Sequence, residues 1–369
     1  MANHTEKFIS PAFLPVYFFA TVILLGGALL HHPMSLRDTS VSWLDAMFTS
    51  VSATCVTGLT VVDTDSSYST TGQAIIATLI QIGGLGVMTY TSLVFYLLRR
   101  RISMTDRIAV GQSLLGDPAF HLGKFLIQMV LVCLCIESAG AVALHVASLG
   151  RIGWFSAFFH AVSAFCNAGF ALFPDSLMGF AGNLPVNFII MSLIILGGIG
   201  FYVLVEVPGY LCRLLRRDRE ARLSWQSAVV IRTSVWLIVA GWAIFFWTES
   251  EQGQAHLFAT LLQTLFQSVT ARTAGFNTMD IGAMTDTALF VMILLMVIGG
   301  SPASCAGGIK TTTLRVLLSF GVSQIKGREQ VVVDGHAVDS TTLNKAMTLS
   351  IMAFVLILFS VFVLTVTEG

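Results

Sequence analysis

Three glycines stand at equivalent places in this chain, each inside a short turn of small and polar residues. The turns are Thr54-Cys55-Val56-Thr57-Gly58, Cys166-Asn167-Ala168-Gly169 and Arg272-Thr273-Ala274-Gly275, each followed by Leu or Phe. Their glycines lie 111 and 106 residues apart, at 58, 169 and 275. An extended turn entered at glycine can aim successive backbone carbonyls one way with no side chain intervening. Rings of such carbonyls replace the hydration shell of a cation. The competing use of the same glycines is a tight turn in a packed interior.

Further residues recur around these turns. A carboxylate follows each glycine by five or six residues, at Asp63, Asp175 and Asp280. One acid per copy would ring the outer mouth and raise local cation concentration. Equally, each could cap the helix that follows. Farther on, the first two copies repeat Ile82-Gly83-Gly84-Leu85-Gly86 and Leu196-Gly197-Gly198-Ile199-Gly200, small residues that permit close helix contact. The third copy departs, running Gly299-Gly300-Ser301-Pro302 to Gly307-Gly308-Ile309-Lys310. Glycine and proline there break the helix. The broken segment is expected to line a path below the turns. Lys310 is expected either to act as a gate charge or to snorkel to the interface.

The elements that must hold these turns are set by composition. The chain is 55% hydrophobic and 11% charged, against roughly 25% charged in soluble domains. Apolar runs long enough to span a bilayer, about 20 residues, are expected at 11–30, 71–98, 124–149, 184–213, 227–248, 287–320 and 345–366. Between them, 41–54, 154–166 and 257–271 are too short to cross and read as re-entrant half-helices, tolerated only where protein or water surrounds them. Each half-helix leads into a turn, so its C-terminal partial negative charge faces the turn and favours a cation. The unit is span, half-helix, turn, span: residues 1–110, 111–222 and 223–328, the last broken at 299–308. Residues 329–369 supply the first span of an incomplete fourth unit.

Basic residues set the expected orientation. Arg99, Arg100, Arg101, Arg107, Arg213, Arg216, Arg217, Arg219, Arg222, Lys310, Arg315, Lys326, Arg328 and Lys345 cluster on one side, which is cytoplasmic by the positive-inside rule. The N-terminus is then cytoplasmic, and residues 11–30 form a retained span instead of a cleaved leader. Six cysteines lack metal spacing. Walker-type and dinucleotide motifs are excluded, because the glycine-rich pieces follow no strand. The histidines are scattered, so no catalytic constellation forms. Glu137 is a lone intramembrane acid, with Arg272 as one possible partner. Arg272, three residues before Gly275, would repel a cation and is expected to clamp the turn's backbone.

With these motifs together, including Val62-Asp63-Thr64 and Gly307-Gly308-Ile309-Lys310-Thr311-Thr312-Thr313, the chain resembles the membrane subunit of the Trk/Ktr/HKT superfamily of potassium transporters, most closely its TrkH and KtrB branch. The resemblance covers nearly the whole chain. It implies an all-α membrane protein of repeated membrane helix–pore helix–membrane helix units around a pseudo-fourfold pore. It implies potassium uptake, with Gly58, Gly169 and Gly275 in the selectivity filter and 300–308 as an intramembrane gate loop. K+ is then the transported ion, with no bound cofactor and no nucleic-acid partner. A plasma-membrane homodimer on a cytosolic ring of TrkA/KtrA-like nucleotide-binding subunits is implied as well. The alternatives are a sodium-conducting relative, disfavoured by glycine at 58, or a non-conducting scaffold. By the period, a fourth filter glycine falls near residue 383, beyond Gly369, so the chain is expected to be a fragment or an interrupted reading frame.

Overall fold

The structure, a computed structural model, describes residues 14–37, 40–99, 122–218, 221–250, 257–328 and 330–368. The basic residues Arg100, Arg101, Arg107 and Arg219, and the N-terminal segment, lie outside the described residues. In chain order the helices are α1 (Leu14–Leu30), α2 (Trp43–Thr54), α3 (Thr64–Ser67), α4 (Thr70–Arg99), α5 (Leu122–Ala147), α6 (Trp154–Phe165), α7 (Leu184–Ile199), α8 (Phe201–Leu215), α9 (Trp225–Ser250), α10 (Leu257–Thr270), α11 (Asp286–Val297), α12 (Thr311–Ile325) and α13 (Ser340–Glu368). A small antiparallel hairpin, β1 (Val332–Val333) and β2 (His336–Ala337), precedes α13.

Long apolar helices with exposed hydrophobic faces make this a membrane protein. Helices α5, α9 and α13 are each long and apolar enough to cross a bilayer unbroken. The span expected at 184–213 is a different object. It is two helices, α7 and α8, bent by 108°. The bend sits at Gly200, whose φ of +93° is open to glycine and strained for other residues.

The short helices α2, α6 and α10 hold the three turns; α2 packs between α1 and α4, α6 between α5 and α7, and α10 against α9 and α7. Helix α6 is the most enclosed, with Phe159, His160, Ser163 and Phe165 buried among Phe170, Phe266 and Phe276. Serines replace some of the apolar packing with directed bonds. Ser50 donates to the Ile23 carbonyl at 2.7 Å and Ser268 to the Ile238 carbonyl at 2.7 Å, so α2 and α10 are tied to α1 and α9 in the same way. At the entrance of α2, Ser42 and Asp45 form a capping box.

The glycine pairs in the following helices have a specific job. A Cβ on Gly83 would run into the Thr54 carbonyl, and one on Gly197 into the Phe165 carbonyl. Each of these carbonyls belongs to the last residue of a half-helix, so the helix after the turn packs directly on that end. Gly197→Ala is expected to cost several kcal/mol, because the obstacle is backbone and cannot rotate away, as in overpacked cores. Lower yield and a lower melting temperature of the purified protein would register it, whereas a melting temperature equal to that of the parent would show that α7 can shift.

Outside the spans, the hairpin docks on α12 through charge. Asp334 sits 3.0 Å from Arg315 and 3.3 Å from Arg232, and Trp225 Nε1 donates to the Val333 carbonyl at 2.9 Å. The hydrogen bond from Arg315 holds the Asp334 carboxyl below the usual carboxylate range. Depression on folding means the contribution is complete above about pH 4, the ordinary Asp value, and fades as pH falls through the lower folded value. Asp334→Asn should therefore expose the 326–340 segment to protease at neutral pH, with a difference from the parent that shrinks under acid. Equal cleavage at neutral pH would remove the pair from the account.

Candidate functional site

The first two half-helices end in the same way, and the third ends one residue earlier relative to its glycine, with Ala274 N donating to the Thr270 carbonyl at 2.9 Å. Cys55 and Cys166 are the C-caps of α2 and α6. Next, Val56 and Asn167 take left-handed φ of 57° and 58°, and Thr273 takes 66° after α10. Thr57 N then donates to the Ser52 carbonyl at 2.9 Å and Ala168 N to the Ser163 carbonyl at 2.7 Å, six-residue closures of the Schellman type. One residue later Gly58, Gly169 and Gly275 are left-handed as well, at 77°, 72° and 84°. Valine and threonine in this region are strained by about 1–2 kcal/mol, a cost borne where function fixes the backbone.

This alternation leaves the turn carbonyls without protein partners. Among the described residues, no hydrogen bond ends on the carbonyls of residues 55–58, 166–169 or 272–275. The carbonyl just past the glycine behaves differently. Phe170 O accepts from Ser163 Oγ at 2.8 Å, and Phe276 O accepts from Thr270 Oγ1 at 2.7 Å. Buried carbonyls are almost always paired, which makes the free ones of buried residues 166–168 notable, whereas Cys55, Thr57 and Gly275 are exposed. Free carbonyls recurring in three equivalent turns could serve as cation ligands.

The turns also meet. A Cβ on Gly58 would collide with the Ala168 carbonyl, and one on Gly169 would stand 2.7 Å from the Ala274 carbonyl and 3.0 Å from Gly275 Cα. A Cβ on Gly275 would stand 3.2 Å from Gly169 Cα. Residues more than a hundred positions apart in sequence are thus neighbours at one point.

Under this point lies the segment 299–310. Its neck is closed by Gly299 N to the Ile309 carbonyl (3.1 Å) and Thr311 N to the Gly300 carbonyl (3.1 Å). Inside, Ser304 Oγ donates to the Ser301 carbonyl at 2.6 Å, and Pro302 makes the corner. The loop is bonded to the bent helix pair as well. Ser301 N donates to Gly198 O at 2.9 Å, Cys305 N to Gly197 O at 3.2 Å, and Phe201 N to Ala303 O at 2.9 Å. The two interrupted helices cap one another, satisfying backbone groups that a break in a membrane would otherwise orphan. Gly307 N reaches the third turn directly, donating to Thr273 Oγ1 at 3.2 Å.

Two charged residues sit elsewhere than expected. Arg272 Nη2 donates to Gly299 O at 3.3 Å, so it holds the entry of the loop and not the backbone of its own turn. Lys310 neither snorkels outward nor hangs free. It donates to Ala306 O at 2.7 Å, within the loop. The acids differ from each other. Asp63 caps the short α3, accepting from Ser66 N at 2.7 Å, and Asp280 accepts from Gly282 N at 3.0 Å, so neither caps a span. Asp175 is exposed, and its carbonyl accepts from Met178 N at 3.1 Å. Glu137 is buried with the Cys166 thiol 3.9 Å away, and does not face Arg272.

Sequence inspection missed His160. Leu172 N donates to its Nε2 at 3.2 Å and its Nδ1 hydrogen is directed to Ser156 O at 2.7 Å, which fixes the tautomer. With its ring stacked on Phe173 at 4.7 Å, it braces the segment leaving the second turn. A lone histidine in an apolar run gives no sequence signal for this. Cys305 was missed likewise. A Cβ on Gly84 would touch both the Cys166 and Cys305 sulfurs, at 2.7 and 3.3 Å, so the loop also meets the first and second units.

Known proteins resemble this chain in sequence and in fold. The TrkH family of cation transport proteins matches residues 12–368. The Ktr system potassium uptake protein B of Bacillus subtilis is 36% identical over 98% of this chain and 81% of its own length. The potassium/sodium uptake protein NtpJ of Enterococcus hirae is 36% identical over 100% of this chain and 82% of its own. The crystal structure of the potassium transporter TrkH from Vibrio parahaemolyticus superposes with a TM-score of 0.74 at 20% identity, covering 98% of this chain and 74% of that one. Three carbonyl-lined turns over a bonded loop, in a membrane protein and with this match from end to end, make the chain a member of the TrkH family of cation transport proteins and not an enzyme.

Proposed function

We propose that this chain is the pore-forming membrane subunit of a potassium-uptake system. K+ passes through residues 54–58, 166–169 and 273–275, and the segment 299–310 is the gate below them. The observation that carries it is the set of unpartnered carbonyls in three turns that meet at Gly58, Gly169 and Gly275. Relatives named as potassium uptake proteins give the ion. Asp63, Asp175 and Asp280 supply negative potential at the outer mouth. The protein lies in the plasma membrane, crosses it several times with its N-terminus in the cytoplasm, and pairs as a homodimer. The "Ktr system" name of a relative fits a multi-component assembly, here with a cytosolic nucleotide-binding ring.

Growth of cells lacking their own potassium uptake, at low external potassium, tests this. Expression of the chain, or of a version extended through a fourth unit, should restore growth. Failure of both at normal membrane abundance would overturn the proposal in favour of a non-conducting scaffold.

Sodium conduction is the second possibility, favoured by the potassium/sodium name of the Enterococcus relative. Gly58 separates the two. Its left-handed φ and contact with the Ala168 carbonyl leave no room for a side chain, so Gly58→Ser displaces that carbonyl. Discrimination against sodium should fall by about tenfold, as expected for roughly 1–2 kcal/mol of local distortion. An unchanged permeability ratio would take Gly58 out of the filter.

A further inference from the structure

Helix α8 has properties that ion conduction does not require. Helix α7 contains 16 residues, about 24 Å at 1.5 Å per residue, which uses most of a hydrocarbon core of about 30 Å. At its lower end the chain turns by 108° into α8. Helix α8 therefore runs across the direction of the spans, near one face of the bilayer, which the proposed topology makes the cytoplasmic face.

Its sequence divides by side. At 3.6 residues per turn, Leu204, Pro208, Leu211 and Leu215 fall on one side, while Glu206 and Arg213 fall opposite; Arg216 is the C-cap and Arg217, with a left-handed φ of 58°, follows just past the helix end. Leu211, Leu214 and Leu215 are 48%, 51% and 83% exposed, and Arg213, Arg216 and Arg217 are exposed too. Glu206 is turned away to the start of α9, accepting from Ser224 N and from the Ser224 and Ser227 hydroxyls. The C-terminal end of the helix then carries three arginines against one acid, Asp218, whose N–H donates to the Arg213 carbonyl at 3.0 Å. A helix lying in the interface needs leucines toward the acyl chains and arginines toward phosphates.

We infer that α8 is an interfacial helix whose Arg213, Arg216 and Arg217 bind the headgroups of anionic phospholipid, with Leu211 and Leu215 in the acyl boundary. Charge complementarity selects the lipid. Basic residues near a cytoplasmic leaflet gain attraction from anionic headgroups, and cations are also favoured at a helix C-terminus. The helix is not an isolated anchor. Its first residue, Phe201, donates to Ala303 in the loop, and a Cβ on Gly200 would stand 2.5 Å from the Pro302 carbonyl. Lipid that holds α8 in the interface therefore fixes the position of the loop. That consequence, unlike lipid binding itself, rests on the loop being the gate.

The test titrates the purified full chain with short-chain phosphatidylglycerol and with phosphatidylcholine, reading bound lipid by native mass spectrometry. The parent should prefer phosphatidylglycerol. The R213Q/R216Q/R217Q variant, altered only at exposed positions, should lose about fivefold in that affinity per arginine removed. Equal retention by parent and variant would overturn the inference, and is also the result expected if these arginines serve a soluble protein. Potassium flux in vesicles with and without phosphatidylglycerol is read separately. Lost lipid binding with unaltered flux would remove the link to the loop while the lipid surface stands. A chain that conducts under neither condition would count against the proposed function, and the lipid titration would still decide the binding.

Discussion

Gly169→Ala is expected to cut potassium uptake to below about one-tenth of the parent rate while the protein still reaches the membrane. Two independent effects act at this position. The residue holds a φ of +72°, which costs alanine about 1–2 kcal/mol. Its methyl would also stand 2.7 Å from the Ala274 carbonyl and 3.0 Å from Gly275 Cα, with backbone on both sides and nothing free to rotate. The first effect alone is worth about tenfold. The second moves the oxygens that would hold the ion, so uptake should fall below about one-tenth of the parent rate. Rubidium influx normalised to surface abundance measures it. Influx at more than half the parent rate would mean that the middle turn does not line the path.

Shortening the loop has the opposite sign. Replacing Pro302–Ala306 by a two-residue link removes the contacts of Ala303 with Phe201 and of Cys305 with Gly197, and the Lys310 tether to Ala306. Each bond is worth about 1 kcal/mol net, so two or three together shift a closed-to-open equilibrium by roughly 30-fold to 160-fold. Flux should rise if the closed state dominates in the parent. Arg272→Gln is the milder companion, since it loses only the bond to Gly299 and leaves the loop its full length. A fall in flux in both variants, at normal expression, would make the segment a support for the turns instead of an obstruction beneath them.

The candidate site was legible in the sequence wherever local backbone chemistry dictated it. A half-helix that ends in a left-handed residue, a small residue and a left-handed glycine leaves a readable string, and three such strings can be compared with one another. Apolar length likewise marked the long helices, because a bilayer imposes a minimum span. Hydropathy could not reveal the bend at Gly200. Residues 184–205 run without a charge across Gly200, and the break there is stabilised by Ser301, Ala303 and Cys305, about a hundred residues away. Nor could spacing assign Arg272 and Lys310 their partners, because Gly299 O and Ala306 O are backbone atoms of a loop with no repeating pattern.

The sequence by itself determined the solvent, the repeated unit, the cation-favouring polarity of the half-helices and the turn glycines. All of these follow from side-chain hydrophobicity and from φ/ψ preferences that act within a few residues. Only the tertiary structure decided that the three turns touch, that Gly83 and Gly197 seat helices on the ends of half-helices, and that two broken helices complete each other. Those facts depend on which backbone carbonyl lies opposite which amide after folding, and every residue carries the same carbonyl and, proline aside, the same amide. Pairings between them are therefore invisible until the chain has folded.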